Sequence, residues 1–188
     1  MNAGLWTNAT VARVNSFING IYNTSYNTSY GGGPYIDRYK QDKYDFSFSP
    51  SVSYNDNTAT ISAYSTAYWV FSINAHGSVQ LPKKLEIGST VDVTLRQKSI
   101  AFPTNNNVVK WDAYIGKKFA KKDQMEIRAN VNDILNQNIG YSRTATGAII
   151  TQNSYNTIRR YGMLELIWNF THTPVSGAAK TDGAIEAH

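Results

Sequence analysis

Apolar and polar residues alternate with a period of two along most of this sequence. Between Leu85 and Arg96, alternate positions read Leu, Ile, Ser, Val, Val, Leu, and the positions between them read Glu, Gly, Thr, Asp, Thr, Arg. Successive side chains of a β-strand lie on opposite faces of its sheet, so this period predicts strands with one apolar and one polar face. The other predicted strands span residues 9–21, 28–39, 44–54, 69–79, 109–118, 125–132 and 158–170. The chain is therefore predicted to be all-β, with about eight antiparallel strands.

The predicted strands have the features of strands that cross a membrane. They run for about ten residues, which a tilted strand needs to cross a bilayer, whereas strands in soluble sheets are usually about five or six residues long. Aromatic residues lie towards the strand ends, as in the girdles at the two membrane interfaces. These residues are Tyr44, Tyr54, Tyr68, Trp69, Phe119, Tyr161, Trp168 and Phe170. The pattern favours antiparallel transmembrane β-barrel strands over a soluble sheet.

The two faces of such strands meet different surroundings. Charged residues in mid-strand predict a water-filled lumen, and the apolar positions predict contact with lipid. The residues predicted to face the lumen are Glu86, Asp92, Arg96, Lys110, Asp112, Glu126 and Arg128. The residues predicted to face lipid are Leu85, Ile87, Val91, Val93, Trp111, Ile115, Ile127, Val131, Leu164, Leu166, Trp168 and Phe170.

Composition argues against several other classes of protein. Charged residues make up 16% of the chain, against about a quarter in ordinary soluble domains. No run approaches the roughly 18 consecutive apolar residues of a spanning helix, and the absence of cysteine excludes disulfides and thiolate metal sites. The net charge of +5 comes from scattered residues and short pairs at 83–84, 117–118 and 121–122. A solvated rim explains these cations better than nucleic-acid binding.

Connections between the predicted strands alternate in length. Residues 81–84 and 120–123 are predicted to form tight turns, and residues 98–107 and 133–157 long polar loops. Outer-membrane barrels combine short periplasmic turns with long outer loops. The last strand is therefore expected to end at the periplasmic side. The repeated Asn-Thr-Ser-Tyr at 23–30 is predicted to lie in another outer loop, where solvation explains it better than glycan binding.

Other local motifs predict architecture rather than chemistry. The glycines at 31–33 lack the Lys-Ser/Thr of a phosphate loop and predict a bend or bulge at a strand edge. Asp133–Asn136 predicts a short turn capped by its own Asp and Asn side chains. None of the three histidines, His76, His172 and His188, has a partner at metal-ligand spacing.

The carboxylates of the polar positions raise the question of catalysis. Asp92, Asp112 and Glu126 lie on one predicted face with Arg96, Lys110 and Arg128. Paired carboxylates serve acid–base chemistry, as an outer-membrane protease or lipase would require. Cross-strand pairing of opposite charges accounts for the same residues without chemistry and is preferred. The chain is expected to be neither an enzyme nor a cofactor-binding protein.

Motifs in the second half of the sequence resemble a known family. Glu126–Asn136 ends in an Asn-Asp-hydrophobic-Leu-Asn turn, Asn156–Leu164 contains Arg-Arg-Tyr, and Trp168–Phe170 closes on an aromatic residue. Shorter matches lie at 81–84, 101–107 and 111–114. Together these motifs resemble the closing strands of Bacteroidetes outer-membrane receptors similar to TonB-dependent receptors. The resemblance covers most of residues 40–170.

The resemblance implies partners beyond this chain. Such receptors have a barrel of about twenty-two strands, of which residues 1–170 would supply about a third of the wall, with outer loops. A plug domain would contact TonB and help to bind an unidentified small molecule or oligosaccharide. The absence of a signal-peptide pattern at the N-terminus favours a piece of a longer protein. Residues 171–188 continue past the final aromatic and are expected to form a flexible tail.

Three functions are open to such a chain. The first is a transport component of the bacterial outer membrane, surrounded by lipid and completed by further strands and a plug. The second is a self-contained small barrel with a structural or adhesive role, since about eight strands can close by themselves. The third is a soluble β-sandwich that binds carbohydrate. The family motifs favour the first.

Overall fold

The computed structural model describes residues 1–61, 65–99, 107–119, 124–146 and 149–168. This part of the chain forms ten β-strands and one short 3-10 turn, Pro82–Lys84. The strands are β1 (Asn2–Ile18), β2 (Ile21–Lys40), β3 (Tyr44–Ala59), β4 (Thr66–Leu81), β5 (Leu85–Arg96), β6 (Val108–Phe119), β7 (Met125–Asn132), β8 (Tyr141–Thr146), β9 (Ile149–Ser154) and β10 (Tyr161–Trp168). No helix in these residues is long and apolar enough to span a membrane.

Eight of the strands form a single antiparallel sheet in the order β1-β2-β3-β4-β5-β6-β7-β10. Six of the seven neighbouring pairs are consecutive in the sequence and form hairpins, and β10 follows β7 after the separate β8–β9 sheet. The sheet is open, because β1 and β10 pair on one side only within the described residues. The predicted all-β class is confirmed.

The first two strands differ from their predicted positions. Strands were expected over 9–21 and 28–39, with an outer loop at 23–30. The loop prediction is wrong, and both strands are longer than expected, β1 beginning at Asn2 and β2 at Ile21. Asn19 and Gly20 have φ of 52° and 80°, the left-handed pair of a type I′ turn, which joins antiparallel strands directly. Residues 23–30 consequently lie inside β2, paired with β1 and, from Ser25, with β3.

The glycines at 31–33 form no bulge. They lie inside β2, and the register with β3 is the same on both sides of them, with Gly31 opposite Ser53 and Ile36 opposite Phe48. The ladder instead lapses around Pro50, which has no N–H to donate. A Cβ at Gly33 would overlap the Pro50 carbonyl, so glycine allows the two backbones to approach here.

The connections lie at two ends of the sheet. The turn end carries Gln41–Lys43, Pro82–Lys84 and the connection between β6 and β7. The loop end carries the Asn19-Gly20 turn and the connections from β3 to β4, β5 to β6 and β7 to β10. The predicted loop at 133–157 is not irregular throughout, because it contains the β8–β9 hairpin. The predicted turn at 120–123 and the predicted tail at 171–188 lie outside the described residues.

The sheet lacks the buried apolar core of a soluble protein. Among the apolar residues that the structure describes, Tyr68 alone is buried. The other buried side chains are polar or charged, including Glu86, Glu126 and Asp133 at 8%, 5% and 1% exposure. This reverses the usual arrangement, in which apolar side chains are buried and charged side chains are exposed.

Candidate functional site

One face of the sheet, termed the apolar face, holds the residues predicted to contact lipid. The pairing places Ile87 opposite Ile115 and Leu166 opposite Ile127, so these side chains share one face across four strands. Eight of the predicted residues are exposed, from 39% for Trp111 to 75% for Leu164, and Leu85, Val91 and Val93 are half-buried. A surface of this kind is unfavourable in water and suited to a hydrocarbon environment. Phe170 lies outside the described residues.

Several aromatic residues lie on the apolar face near the loop end. The rings of Tyr54 and Trp69 lie 5.0 Å apart, and Trp69 stacks on Phe71 at 6.5 Å. Tyr68 and Tyr161, predicted as members of a girdle, are on the opposite face instead, because strand alternation places neighbours on opposite sides. The predicted girdle is wrong for these two residues.

The opposite face, termed the polar face, carries all seven residues predicted to face the lumen. Directly paired positions on it form a row across β4, β5, β6, β7 and β10. This row is Gln80, Glu86, Gly116, Arg128 and Glu165. Because directly opposed side chains share a face, the row brings together two carboxylates, a guanidinium and an amide from four of these five strands, the β6 position being a glycine.

Glu86 is the centre of one polar cluster on this face. Its carboxylate accepts a hydrogen bond from the hydroxyl of Tyr114 at 2.6 Å and forms an ion pair with Lys118 at 3.0 Å. The side-chain amide of Gln80 donates a further hydrogen bond to it. Three donors from neighbouring strands therefore compensate a carboxylate that is almost removed from solvent.

A second cluster adjoins the first. The Nε of Arg128 donates to Glu126 at 2.8 Å, and its guanidinium lies 4.2 Å from the centre of the Tyr114 ring. Gly88 and Gly116 leave the space that these side chains occupy, because a Cβ at either position would overlap Tyr114 or Glu126. Tyr114 thus connects the two clusters, through its hydroxyl to Glu86 and through its ring to Arg128.

The middle of the polar face is paired more loosely. Lys110 and Asp112 form an ion pair at 3.0 Å, and Asn74 donates to Asp92 at 2.9 Å. His76 contacts the hydroxyl of Thr90 at 3.1 Å. The guanidinium of Arg96, the last of the predicted lumen residues, lies 4.8 Å from the centre of the Tyr68 ring.

The predicted cross-strand pairing is wrong for two ion pairs of the predicted set, because Lys110–Asp112 and Arg128–Glu126 each pair along one strand. An ion pair across strands joins Lys118 to Glu86, which the sequence interpretation did not pair. Residues two apart on a strand lie on the same face, and these long side chains span that distance. No group of three or more His, Asp or Glu that could hold a metal ion is found in the described ranges. The arrangement is chemically that of a polar surface on which the charges are compensated by ion pairs and hydrogen bonds.

The turn after β7 has the predicted Asx construction. The Asp133 carboxylate accepts hydrogen bonds from the backbone N–H groups of Gln137 and Asn138, both at 2.9 Å. The Asp133 N–H in turn donates to Asp112 at 2.7 Å. Asp133 has a φ of 52°, a conformation that Asp and Asn tolerate better than most residues. The predicted capped turn is confirmed and joins the long loop to the polar face.

A buried polar cluster at the loop end was missed by the sequence interpretation. The amide of Asn23 donates to the hydroxyls of Ser25 at 2.9 Å and Ser16 at 3.3 Å. Its oxygen accepts from Thr60 at 3.3 Å and from the Ile61 N–H at 3.4 Å. This cluster fastens the start of the β3–β4 connection to the β1–β2 hairpin. The Asn19-Gly20 dipeptide was the available signal, since it predicts a hairpin turn there.

Comparison with known proteins agrees with these features. The model of one family, described as "Outer membrane protein beta-barrel family", matches residues 2–170. No protein of curated function and no solved structure matches the chain significantly.

Proposed function

Since the chain belongs to the outer membrane protein beta-barrel family, we propose that its sheet is part of the wall of a barrel that takes up a nutrient across the outer membrane. The apolar face contacts lipid, and the polar face lines the lumen. The turn end faces the periplasm and the loop end faces the exterior. The wall is completed by further strands at β1 and β10, and a plug that contacts TonB occupies the lumen. The soluble sandwich is excluded by the outer-membrane family.

The open sheet is the observation that supports this proposal. Within the described residues, β1 and β10 each pair on one side only. The hydrogen-bonding groups on the other side of each strand need partners, because unmatched groups are costly within a bilayer. Additional strands satisfy both edges. The compensated charges of the polar face suit a wide, wet lumen that holds a polar plug.

The eight-stranded count favours one alternative, a self-contained small barrel, because eight strands suffice for closure. Refolding the 188-residue chain alone in detergent separates the two. The proposed larger barrel predicts edge-mediated oligomers and no heat-modifiable monomer on gels. A compact, heat-modifiable monomer would support the small barrel instead.

The uptake role needs a separate test in cells. Disruption of the gene should impair growth on a scarce nutrient too large for porins, and a protonophore should reproduce the uptake defect in wild-type cells. Normal uptake of every large nutrient tested, with and without the protonophore, would contradict a TonB-dependent role and leave the barrel itself intact.

A further inference from the structure

The turn end of the sheet carries a concentration of exposed cations. This set, the basic rim, comprises Arg38, Lys40, Lys43, Lys83, Lys84 and Lys117. Among the described residues of these turns and of the adjoining apolar face, Asp42 is the only acidic one. The acidic residues near the same end, such as Glu86 and Glu126, lie on the polar face and are compensated there.

The cations of the basic rim come from neighbouring strands. The Gln80 N–H donates to the Lys43 carbonyl at 2.7 Å, which places the β2–β3 turn beside β4. Lys83 and Lys84 form the next turn, and Leu85, which follows them, pairs with Lys117 of β6. The rim is therefore continuous from β2 to β6, along five adjacent strands.

Half of the basic rim lies on the apolar face itself. Arg38 is opposite Phe46, and Lys40 is opposite Tyr44. The Arg38 guanidinium lies 5.4 Å from the centre of the Tyr44 ring. A cation on a lipid-facing surface is tolerated where its long side chain can reach the headgroup layer, which is also where tyrosine is enriched. The turn end of the apolar face thus has the composition of a membrane interface with an excess of positive charge.

The backbone of the β4–β5 turn adds an independent observation. Lys83 and Lys84 have φ of 64° and 62°. Glycine or asparagine adopts this left-handed conformation at lower conformational cost. Two consecutive lysines therefore occupy positions to which backbone preference does not direct them.

We propose that the basic rim binds the phosphate groups of anionic phospholipids in the leaflet at the turn end of the barrel. Lysine and arginine near a membrane surface attract anionic lipid, and several together act cumulatively. The rim then fixes the depth and tilt of the wall, in addition to any part that the barrel plays in uptake. The sequence predicted only that these cations are solvated, and the proposal adds that they contact lipid phosphates.

The proposal is tested by native mass spectrometry of the protein purified from outer membranes in mild detergent. The probe is an equimolar mixture of phosphatidylglycerol and phosphatidylcholine. The wild-type protein should retain phosphatidylglycerol preferentially, and raising the salt concentration should reduce that preference because headgroup contacts are screened. Equal retention of the two lipids, or a preference that salt does not change, would overturn the proposal without bearing on uptake.

Charge-matched variants locate the site. The triple variant Lys40→Gln, Lys83→Gln, Lys117→Gln should lose about tenfold or more of the preference for phosphatidylglycerol. The control triple Arg13→Gln, Lys98→Gln, Arg159→Gln removes three cations from the loop end and should keep it. Equal loss in both variants would show a dependence on net charge alone and contradict a specific rim. If the first variant fails to assemble, the salt dependence of the phosphatidylglycerol preference in the wild-type protein still tests the proposal.

Discussion

Single glycines determine where the charged side chains of the polar face lie. Tyr114 crosses over Gly88 to reach Glu86, and Glu126 occupies the space beside Gly116. Each of these contacts requires the absence of a Cβ on the neighbouring strand. The side chains of the polar face are therefore closely packed and contact specific neighbours, as side chains in a protein core do, although most of them are hydrophilic.

Replacement of Gly88 tests this packing. Gly88→Ala should displace the Tyr114 ring, weaken its hydrogen bond to Glu86 and lower the free energy of unfolding by about 1–3 kcal/mol. Gly77→Ala is the matched control, because its Cβ would make an ordinary contact 3.9 Å from Phe46. Denaturant titration of the membrane-folded protein measures both. A cost for Gly88→Ala that persists when Tyr114 is also changed to Ala would show that the ring is not the cause.

The assignment of faces makes a second prediction at the scale of residues. Val131→Arg should cost about 2–4 kcal/mol of folding free energy, because it places a charge in lipid on the apolar face, several residues away from the basic rim at Lys117. Asn130→Arg, at the preceding position on the polar face of β7, should cost much less. Arg128 serves less well for this comparison, since its removal leaves the buried Glu126 unpaired. A larger cost for Asn130→Arg would reverse the assignment of lumen and lipid.

Among the structural elements, the β1–β2 hairpin is fixed at its tip by the Asn23 cluster. Asn23 is 1% exposed and serves four partners in β1, in β2 and in the β3–β4 connection. These contacts hold the start of the β3–β4 connection against the β1–β2 hairpin.

Loss of this cluster should be visible by hydrogen exchange. Asn23→Ala leaves the Ile61 N–H without its acceptor and should cost about 1–3 kcal/mol, with faster exchange of that amide. Asn55→Ala is the control, because Asn55 makes one long hydrogen bond of 3.4 Å to Ser53 on the same face of the sheet. Unchanged exchange at Ile61 in the Asn23 variant would show that the cluster does not hold the connection.

The sequence predicted elements unevenly, for physical reasons. β5, β6 and β7 have regular alternation, so their pairing and faces followed directly from it. β1 and β2 carry Asn, Thr, Ser and Gly on both faces, and this composition resembles a loop although the backbone is paired throughout. The ion pairs were harder to predict, because a long charged side chain can reach the residue two positions along its own strand as well as the residue opposite on the next strand.

At the scale of the whole molecule, the described sheet resembles one half of a folded structure whose other half is the bilayer. Its exposed apolar side chains have no covering layer, and one apolar residue is buried in the described part. In a soluble domain this arrangement would not offset the conformational entropy lost on folding. The stability of the protein therefore depends on the hydrophobic medium around it.

Removal of that medium should abolish the fold. Transfer from detergent into buffer is expected to give loss of the cooperative β-structure or aggregation through the apolar face and the strand edges. Sedimentation and circular dichroism before and after detergent removal measure the change. A monodisperse, cooperatively unfolding monomer in plain buffer would contradict the membrane assignment of the apolar face.

The lack of an apolar core in the described sheet has a further consequence for the newly made chain. A protein destined for the outer membrane crosses the periplasm first, and there this chain has no stable compact state to adopt. The interval before insertion is therefore a period of vulnerability to proteases and to association with other chains. Protection during that interval has to come from another molecule, so the cellular supply of holding chaperones, as well as the sequence itself, sets how much of this protein reaches the membrane.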